Sequence, residues 1–269
     1  MLLDYHMHLE NGPFSREWAL KFWETASARG ISEIGFSEHV YRFKQALGIV
    51  DHPWAIERCT EDLDEYVDLI LSLKQEGLPV KLSLEVDYSP DKEDFIRELI
   101  KAYPFDYVLG SIHWLGAWGF DNPDWADEWN RRDLDEVYAE YFQILGQAAA
   151  SKLFHSLSHP DVIKVFGHQP AGDLTRLYKP LVETIAGAQD LCIEVSTAGL
   201  RKPVGRLYPE PELLKLAKQH GIKITMASDA HYPEDVGKDY PAAVQLLKDI
   251  GYTTITRFTN GIGAQVPLG

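Results

Sequence analysis

Tyr107-Val-Leu-Gly-Ser-Ile-His113 is a mostly apolar run that stops on an imidazole. Near-continuous apolar runs of this length suit parallel strands covered by helices, whereas half-exposed strands alternate apolar with polar residues. Outward from this stretch, further strand candidates recur at Leu2–His8, Glu33–Ser37, Val80–Asp87, Leu153–His159, Leu191–Ser196 and Lys223–Ser228, with a weaker eighth at Thr253–Phe258. Between them the spacing predicts helices over Ser15–Arg29, Ala55–Glu76, Lys92–Tyr103, Leu134–Ala150, Asp173–Ala186, Pro211–His220 and Pro241–Ile250. Gly30, Gly77, Gly221 and Gly251 stand where such helices need a terminating cap. Strands alternating with helices predict an α/β fold with a parallel sheet. Seven or eight such units favour a closed β/α barrel over an open doubly wound sheet. No GxGxxG or GxxxxGK[ST] follows the first strand, so neither a Rossmann nor a P-loop nucleotide site is expected. The 269 residues are read as one barrel domain, 1–269.

Composition narrows the partners. Hydrophobic residues make up 45% of the chain, an ordinary share for a globular protein, and the net charge is −15. An acidic surface without a basic cluster repels a phosphate backbone, so nucleic acid is not an expected partner. No apolar run reaches the roughly 18 residues that a membrane helix needs. The N-terminus lacks a basic region followed by an apolar stretch, so no secretory signal is read there. Cys59 and Cys192 show no metal-type spacing and are read as packing residues of a protein in a reducing cytoplasm. The expected partner is a small-molecule phosphoester, held by divalent cations that offset the acidic field locally.

The histidines carry the chemistry. Of ten, six fall at or just beyond a candidate strand end: His6, His8, His39, His113, His159 and His231. Glu85 stands near the end of a further candidate strand, and Asp229 beside His231 just beyond the seventh. In a β/α barrel these ends share one face, and their side chains converge there. Residues i and i+2 of a strand point to the same side, so His6 and His8 can chelate one ion together. Imidazoles with a few carboxylates suit Zn²⁺, Mn²⁺ or Fe²⁺. A carboxylate such as Glu85 can bridge two ions, and paired ions suit an in-line phosphoryl displacement. Each residue alone also has a plain structural reading, as a core histidine or a helix cap; the joint pattern is what argues for a site. His52, His155, His168 and His220 are read as structural.

The order of these motifs is similar to one family. An HxH near the N-terminus, a strand ending in Glu38-His39, the strand-end Glu85, Phe105–His113, Ser158-His-Pro-Asp161 and Ser228-Asp-Ala-His231 together resemble the PHP superfamily (polymerase and histidinol phosphatase), and within it the histidinol-phosphatase type. The resemblance implies a distorted (β/α)7, TIM-like barrel with the metal site at the C-terminal face of its strands, so that the eighth candidate strand is peripheral or takes the closing position. It implies two or three metal ions: His6, His8, Glu85 and Asp229 at the first, Glu85, His113 and His159 at the second, His39 and His231 at the third. It also implies hydrolysis of L-histidinol phosphate in histidine biosynthesis. Family members usually carry another histidine in the loop after HxH; here that loop reads Leu9-Glu-Asn-Gly-Pro-Phe-Ser15, and Glu10 is the nearest replacement.

In the mechanism so implied, Asp229 orients or deprotonates the attacking water, and Arg201 binds a phosphoryl oxygen as a bidentate donor. His231 or Asp229 serves the leaving group. Trp114 and Glu38 are candidate substrate contacts, Trp114 for a ring and Glu38 for an ammonium group, although Glu38 could equally support a metal ligand from behind. Three other readings stay open: a PHP phosphoesterase for another small ester or an oligonucleotide, an amidohydrolase-type barrel, which also begins with HxH, and a non-catalytic metal-binding barrel.

Overall fold

The computed structural model describes residues 1–188 and 190–269. Seven parallel strands form one sheet: β1 (Leu3–Asp4), β2 (Glu33–His39), β3 (Val80–Asp87), β4 (Leu109–Ser111), β7 (Ser156–Leu157), β8 (Cys192–Ser196) and β9 (Lys223–Ala227). Two short strands, β5 (Trp114–Leu115) and β6 (Trp118–Gly119), make a hairpin of their own after β4. The chain beyond β1 runs on beside the chain beyond β9: Tyr5 N–H donates to Met226 O, His8 N–H to Ala230 O and Ala230 N–H to His6 O. The seven strands thereby close into a barrel, as the alternation of segments predicts.

Among the described residues eight α-helices follow: α1 (Arg16–Ala28), α2 (Pro53–Ile56), α3 (Leu63–Gln75), α4 (Glu93–Lys101), α5 (Leu134–Ala150), α6 (Thr175–Gly187), α7 (Pro211–Gln219) and α8 (Tyr240–Ile250). Their ends follow the capping rules. Ser15 accepts from Trp18 N–H ahead of α1, and Asp133 accepts from Asp135 and Glu136 N–H ahead of α5. Gly251 closes α8 in the left-handed conformation at φ +100°. The helix expected over Ala55–Glu76 is in fact two, because Asp62 caps α3 by accepting from Asp64 N–H while residues 57–62 turn.

The barrel interior is partly polar. Every residue of β3 is buried, and its alternate positions Lys81, Ser83, Glu85 and Asp87 include a cation at one end and two carboxylates at the other. Lys81 Nζ bonds Thr259 Oγ1 at the amino end of the barrel. Tyr107 crosses the interior to donate to Tyr5 O. Gly35 has no side chain to give there, since a Cβ would stand 1.9 Å from the Tyr107 hydroxyl.

The eighth candidate strand stays outside the barrel. Thr254–Thr259 (β10) pairs antiparallel with Ile262–Pro267 (β11) through Asn260-Gly261, both at positive φ. Asn-Gly between two strand runs is the strongest short hairpin signal. The hairpin covers the amino end: Phe258 stacks on Tyr107 at 5.1 Å, and Arg257 pairs with Glu33. His155 joins the same layer, its Nδ1 accepting from Val108 N–H at 3.0 Å.

Burial holds the His155 imidazole below its ordinary pKa. Folded His155 therefore resists protonation that the unfolded chain accepts near pH 6.5. Its contribution is complete above that pH and is lost as pH falls through it. The wild-type melting temperature is expected to fall more steeply than that of His155→Gln below pH 6.5. Parallel curves in calorimetry would show that His155 does not contribute.

Candidate metal centre

The carboxyl ends of the strands hold the cluster. His6 and His8 leave the extended chain after β1 on one side, with ring centroids 4.9 Å apart. His39 ends β2 and stands opposite Glu85 of β3 in register. His113 lies two residues beyond β4, His159 two beyond β7, and Asp229 and His231 two and four beyond β9. His159 and Asp229 sit at φ +24° and +50°. Such left-handed backbone at non-glycine residues costs of order 1–3 kcal/mol each, and functional sites are where it collects.

Ligand atoms of His6, His8 and Asp229 lie within 4.8 Å of one another, as do those of His6, Glu85 and His159, and those of His8, His39 and His231. Donors around one tetrahedral ion at about 2.1 Å stand roughly 3.4 Å apart. His8 Nε2 to Asp229 Oδ1 is 3.3 Å, His6 Nε2 to Glu85 Oε2 3.4 Å, His231 Nε2 to Asp229 Oδ1 3.3 Å, and His113 Nε2 to His159 Nε2 3.4 Å. Glu85 sends one oxygen toward His159 and His113 and the other toward His39, His6 and His8.

The polar atoms themselves test whether cations fit. His6 Nε2, both nitrogens of His8 and His159 Nδ1 are buried without a hydrogen-bond partner. Each such atom costs about 1–3 kcal/mol unless something takes its lone pair. A protein does not keep so many together unless they are used. Imidazole and carboxylate donors at these spacings fit divalent cations.

Behind the imidazoles stand carboxylates. His6 Nδ1 bonds Glu194 Oε2 at 2.9 Å, His113 Nδ1 bonds Asp87 Oδ1 at 2.8 Å, and His231 Nδ1 bonds Glu10 Oε1 at 2.5 Å. A proton kept on Nδ1 in this way turns the other nitrogen, Nε2, toward the cluster. Burial opposes charge on the His113 imidazole, but Asp87 and Glu85 outweigh it and raise its pKa to about 10. Asp229 and Glu10 likewise overcome burial and raise His231 to about 9. For Glu85 and Asp229 burial works against ionisation, yet the surrounding imidazoles, His6 foremost, hold both carboxyls well below the usual range. Ions entering the cluster displace the imidazole protons, because only a neutral nitrogen ligates.

Glu194 and Asp87 escaped the reading of the sequence. Glu194 is fully buried in the middle of β8, and its second oxygen accepts from His159 N–H at 3.2 Å. A carboxylate inside the otherwise apolar Cys192-Ile-Glu-Val195 was the available signal. Glu194→Gln is expected to weaken metal binding about 10- to 100-fold. Competition against a chromophoric chelator measures it, and wild-type affinity would remove Glu194 from the site.

The remaining candidates separate. Glu38 is fully buried, accepts from Leu9 and His39 N–H, and lies 3.4 Å from His8 Nδ1 and from Arg42 Nη1. Of the two roles open to Glu38, contact with a substrate ammonium or support behind a ligand, these contacts favour the second: Glu38 backs His8. Glu10 reaches the cluster's edge through His231, with its other oxygen 3.9 Å from Arg42. Arg201 Nη2 donates to Ser228 O at 2.6 Å and Asp229 O at 3.3 Å, while its buried Nη1 has no partner. It lines a cleft of 770 Å³ with Glu10, Lys202, Asp229, His231 and Lys238. Trp114 lines a separate small cavity beside His39 and His113. His52, His155, His168 and His220 belong to none of the three ligand groups; His52, for one, caps α2 by accepting from Trp54 N–H.

The PHP domain family matches residues 4–198, and the chain belongs to it. The relatives it resembles have a narrower name. A probable histidinol-phosphatase of Deinococcus radiodurans is 36% identical over 95% of this chain and 96% of its own. A histidinol-phosphatase of Bacillus subtilis is 27% identical over 90% of this chain and 98% of its own. A crystal structure of histidinol phosphate phosphatase from Lactococcus lactis, complexed with zinc, L-histidinol and phosphate, superposes with a TM-score of 0.76 at 22% identity, covering 98% of each chain. It shares the barrel.

Proposed function

We propose that the chain is a metal-dependent phosphomonoesterase that hydrolyses L-histidinol phosphate to L-histidinol and phosphate, a step of histidine biosynthesis. The observation that carries the reading is the convergence of six imidazoles with Glu85 and Asp229 at ligand spacing on the carboxyl face of a PHP barrel. The names of the Deinococcus and Bacillus relatives, and the L-histidinol and phosphate held by the Lactococcus protein, support the substrate. Among the described residues no helix is long and apolar enough to cross a membrane.

His6, His8, Glu85 and Asp229 would hold one ion, Glu85, His113 and His159 a second, and His39 and His231, with Glu10 behind, a third; zinc, manganese and iron(II) all suit these donors. Bound there, the ions would supply Lewis-acid stabilisation of the phosphoryl oxygens and a water of lowered pKa. Asp229, ionised and with its Oδ1 3.3 Å from both His8 Nε2 and His231 Nε2, orients the attacking water. The free amino group of Arg201 points its donors at a phosphoryl oxygen, and its other amino group, bound to Ser228 and Asp229 carbonyls, fixes the direction. His231, its Nδ1 turned to Glu10 and its Nε2 3.3 Å from Asp229 Oδ1, would hold the ion that stabilises the leaving alkoxide.

Exhaustive chelation tests the metal dependence. Turnover of L-histidinol phosphate is expected to vanish and to return on adding back zinc, manganese or iron(II). Full activity in demonstrably ion-free protein would refute the reading.

A further inference from the structure

Beside the cluster, and sharing His39 and His113 with it, lies a cavity of 70 Å³ walled by Tyr41, Trp54, Trp114 and Trp125. The rings enclose it closely: Trp54 to Trp114 is 6.0 Å, Trp54 to Trp125 6.1 Å and Trp114 to Trp125 5.5 Å between centroids, and Tyr41 stacks on His39 at 4.9 Å. Gly119 at its edge leaves room for the Trp125 ring, which a Cβ would meet at 2.7 Å. One carboxylate lines the cavity, that of Asp121, and its charge helps to raise the pKa of the neighbouring His113. The volume decides what enters. A water-sized object takes about 10–15 Å³ on this measure, so the cavity admits five to seven heavy atoms: a five-membered ring with its methylene, not a nucleobase or a sugar.

Aromatic faces stack on a flat ring of this size, and a carboxylate at the wall can accept from a ring N–H. We propose that the Tyr41–Trp54–Trp114–Trp125 box, with Asp121 at its wall to accept from a ring N–H, receives the substrate's imidazole ring and sets the preference for an imidazole-bearing phosphoester. The inference rests on the substrate reading given above and deepens it. The box also gives work to the β5–β6 hairpin, which carries Trp114 and Gly119, and to the loop with Asp121 and Trp125 that follows.

The experiment compares L-histidinol phosphate with 2-aminoethyl phosphate, which keeps the phosphate and an ammonium group but has no ring. The ratio of the two kcat/KM values is read for wild type, Asp121→Asn and Trp125→Ala, and L-histidinol binding is titrated calorimetrically in each. Asp121→Asn keeps the shape of the side chain, so it answers even where Trp125→Ala folds poorly. The ratio is expected to fall about tenfold in each variant, with a matching loss of L-histidinol affinity. An unchanged ratio, or undiminished L-histidinol binding, overturns the box. Wild type that cleaves the ring-free ester but not L-histidinol phosphate defeats the substrate reading instead, and absent L-histidinol binding in that protein defeats both.

Discussion

Glu85→Gln will lose bound metal and about 1,000-fold or more in kcat/KM for L-histidinol phosphate, a loss of about 4 kcal/mol of transition-state stabilisation. The side chain is buried at the centre of the cluster. One oxygen lies 2.9 Å from His159 Nε2, and the other 2.8 Å from His39 Nδ1 and 3.4 Å from His6 Nε2. No other carboxylate touches so many of the imidazoles, so a change that keeps its volume but removes its charge acts on the first two ion positions together. The amide also offers N–H donors to nitrogens that have to stay open for ions. Metal analysis by mass spectrometry with parallel kinetics measures the effect, and a folded variant with full metal content and activity would remove Glu85 from the bridging position.

His8→Ala will act through a different geometry. His8 belongs to two of the three ligand groups, and its ring stacks between His39 at 4.0 Å and His231 at 4.6 Å between centroids. Removing it takes a ligand from the first position and the ring that packs between His39 and His231 of the third, while the Glu85, His113 and His159 set stays whole. The expected result is protein that keeps some metal, near one ion per chain, and loses about 1,000-fold in activity. The buried Glu38 is left facing the cavity, and Glu38 is held ionised partly by His8 despite its burial. A folded variant that keeps wild-type metal content would show that His8 is a packing residue.

Much of the site could be read from the sequence because barrel strands end on one face. His6, His8, His39, Glu85, His113, His159, Asp229 and His231 each sit at or within a few residues of a strand end, and that position needs no tertiary information. The carboxylates behind them were harder. Glu194 and Asp87 meet His6 and His113 across neighbouring strands, at sequence separations of 188 and 26 residues. Glu38 was visible but left between two roles, because strand position alone does not say that both of its oxygens are taken by Leu9 and His39 N–H.

The fold was legible in the same uneven way. The repeated strand–helix units predict the barrel, and the runs at β2, β3, β8 and β9 keep most of their expected length. At β4 and β7 only short segments pair as strands, within the runs Tyr107–His113 and Leu153–His159, since the chain there turns early to place His113 and His159. The eighth run has strand composition, but Asn260-Gly261 directs it into a hairpin across the barrel's amino end rather than into the wall. The four aromatic rings of the box come from distant segments, and only their contact in space makes a cavity of them.

The most direct measurement is phosphate release from L-histidinol phosphate, set beside p-nitrophenyl phosphate, with protein whose bound ions have been counted. Strong preference for L-histidinol phosphate by chains carrying two or three ions is the predicted result. Turnover of the generic ester alone, or none of either by fully loaded protein, would contradict it.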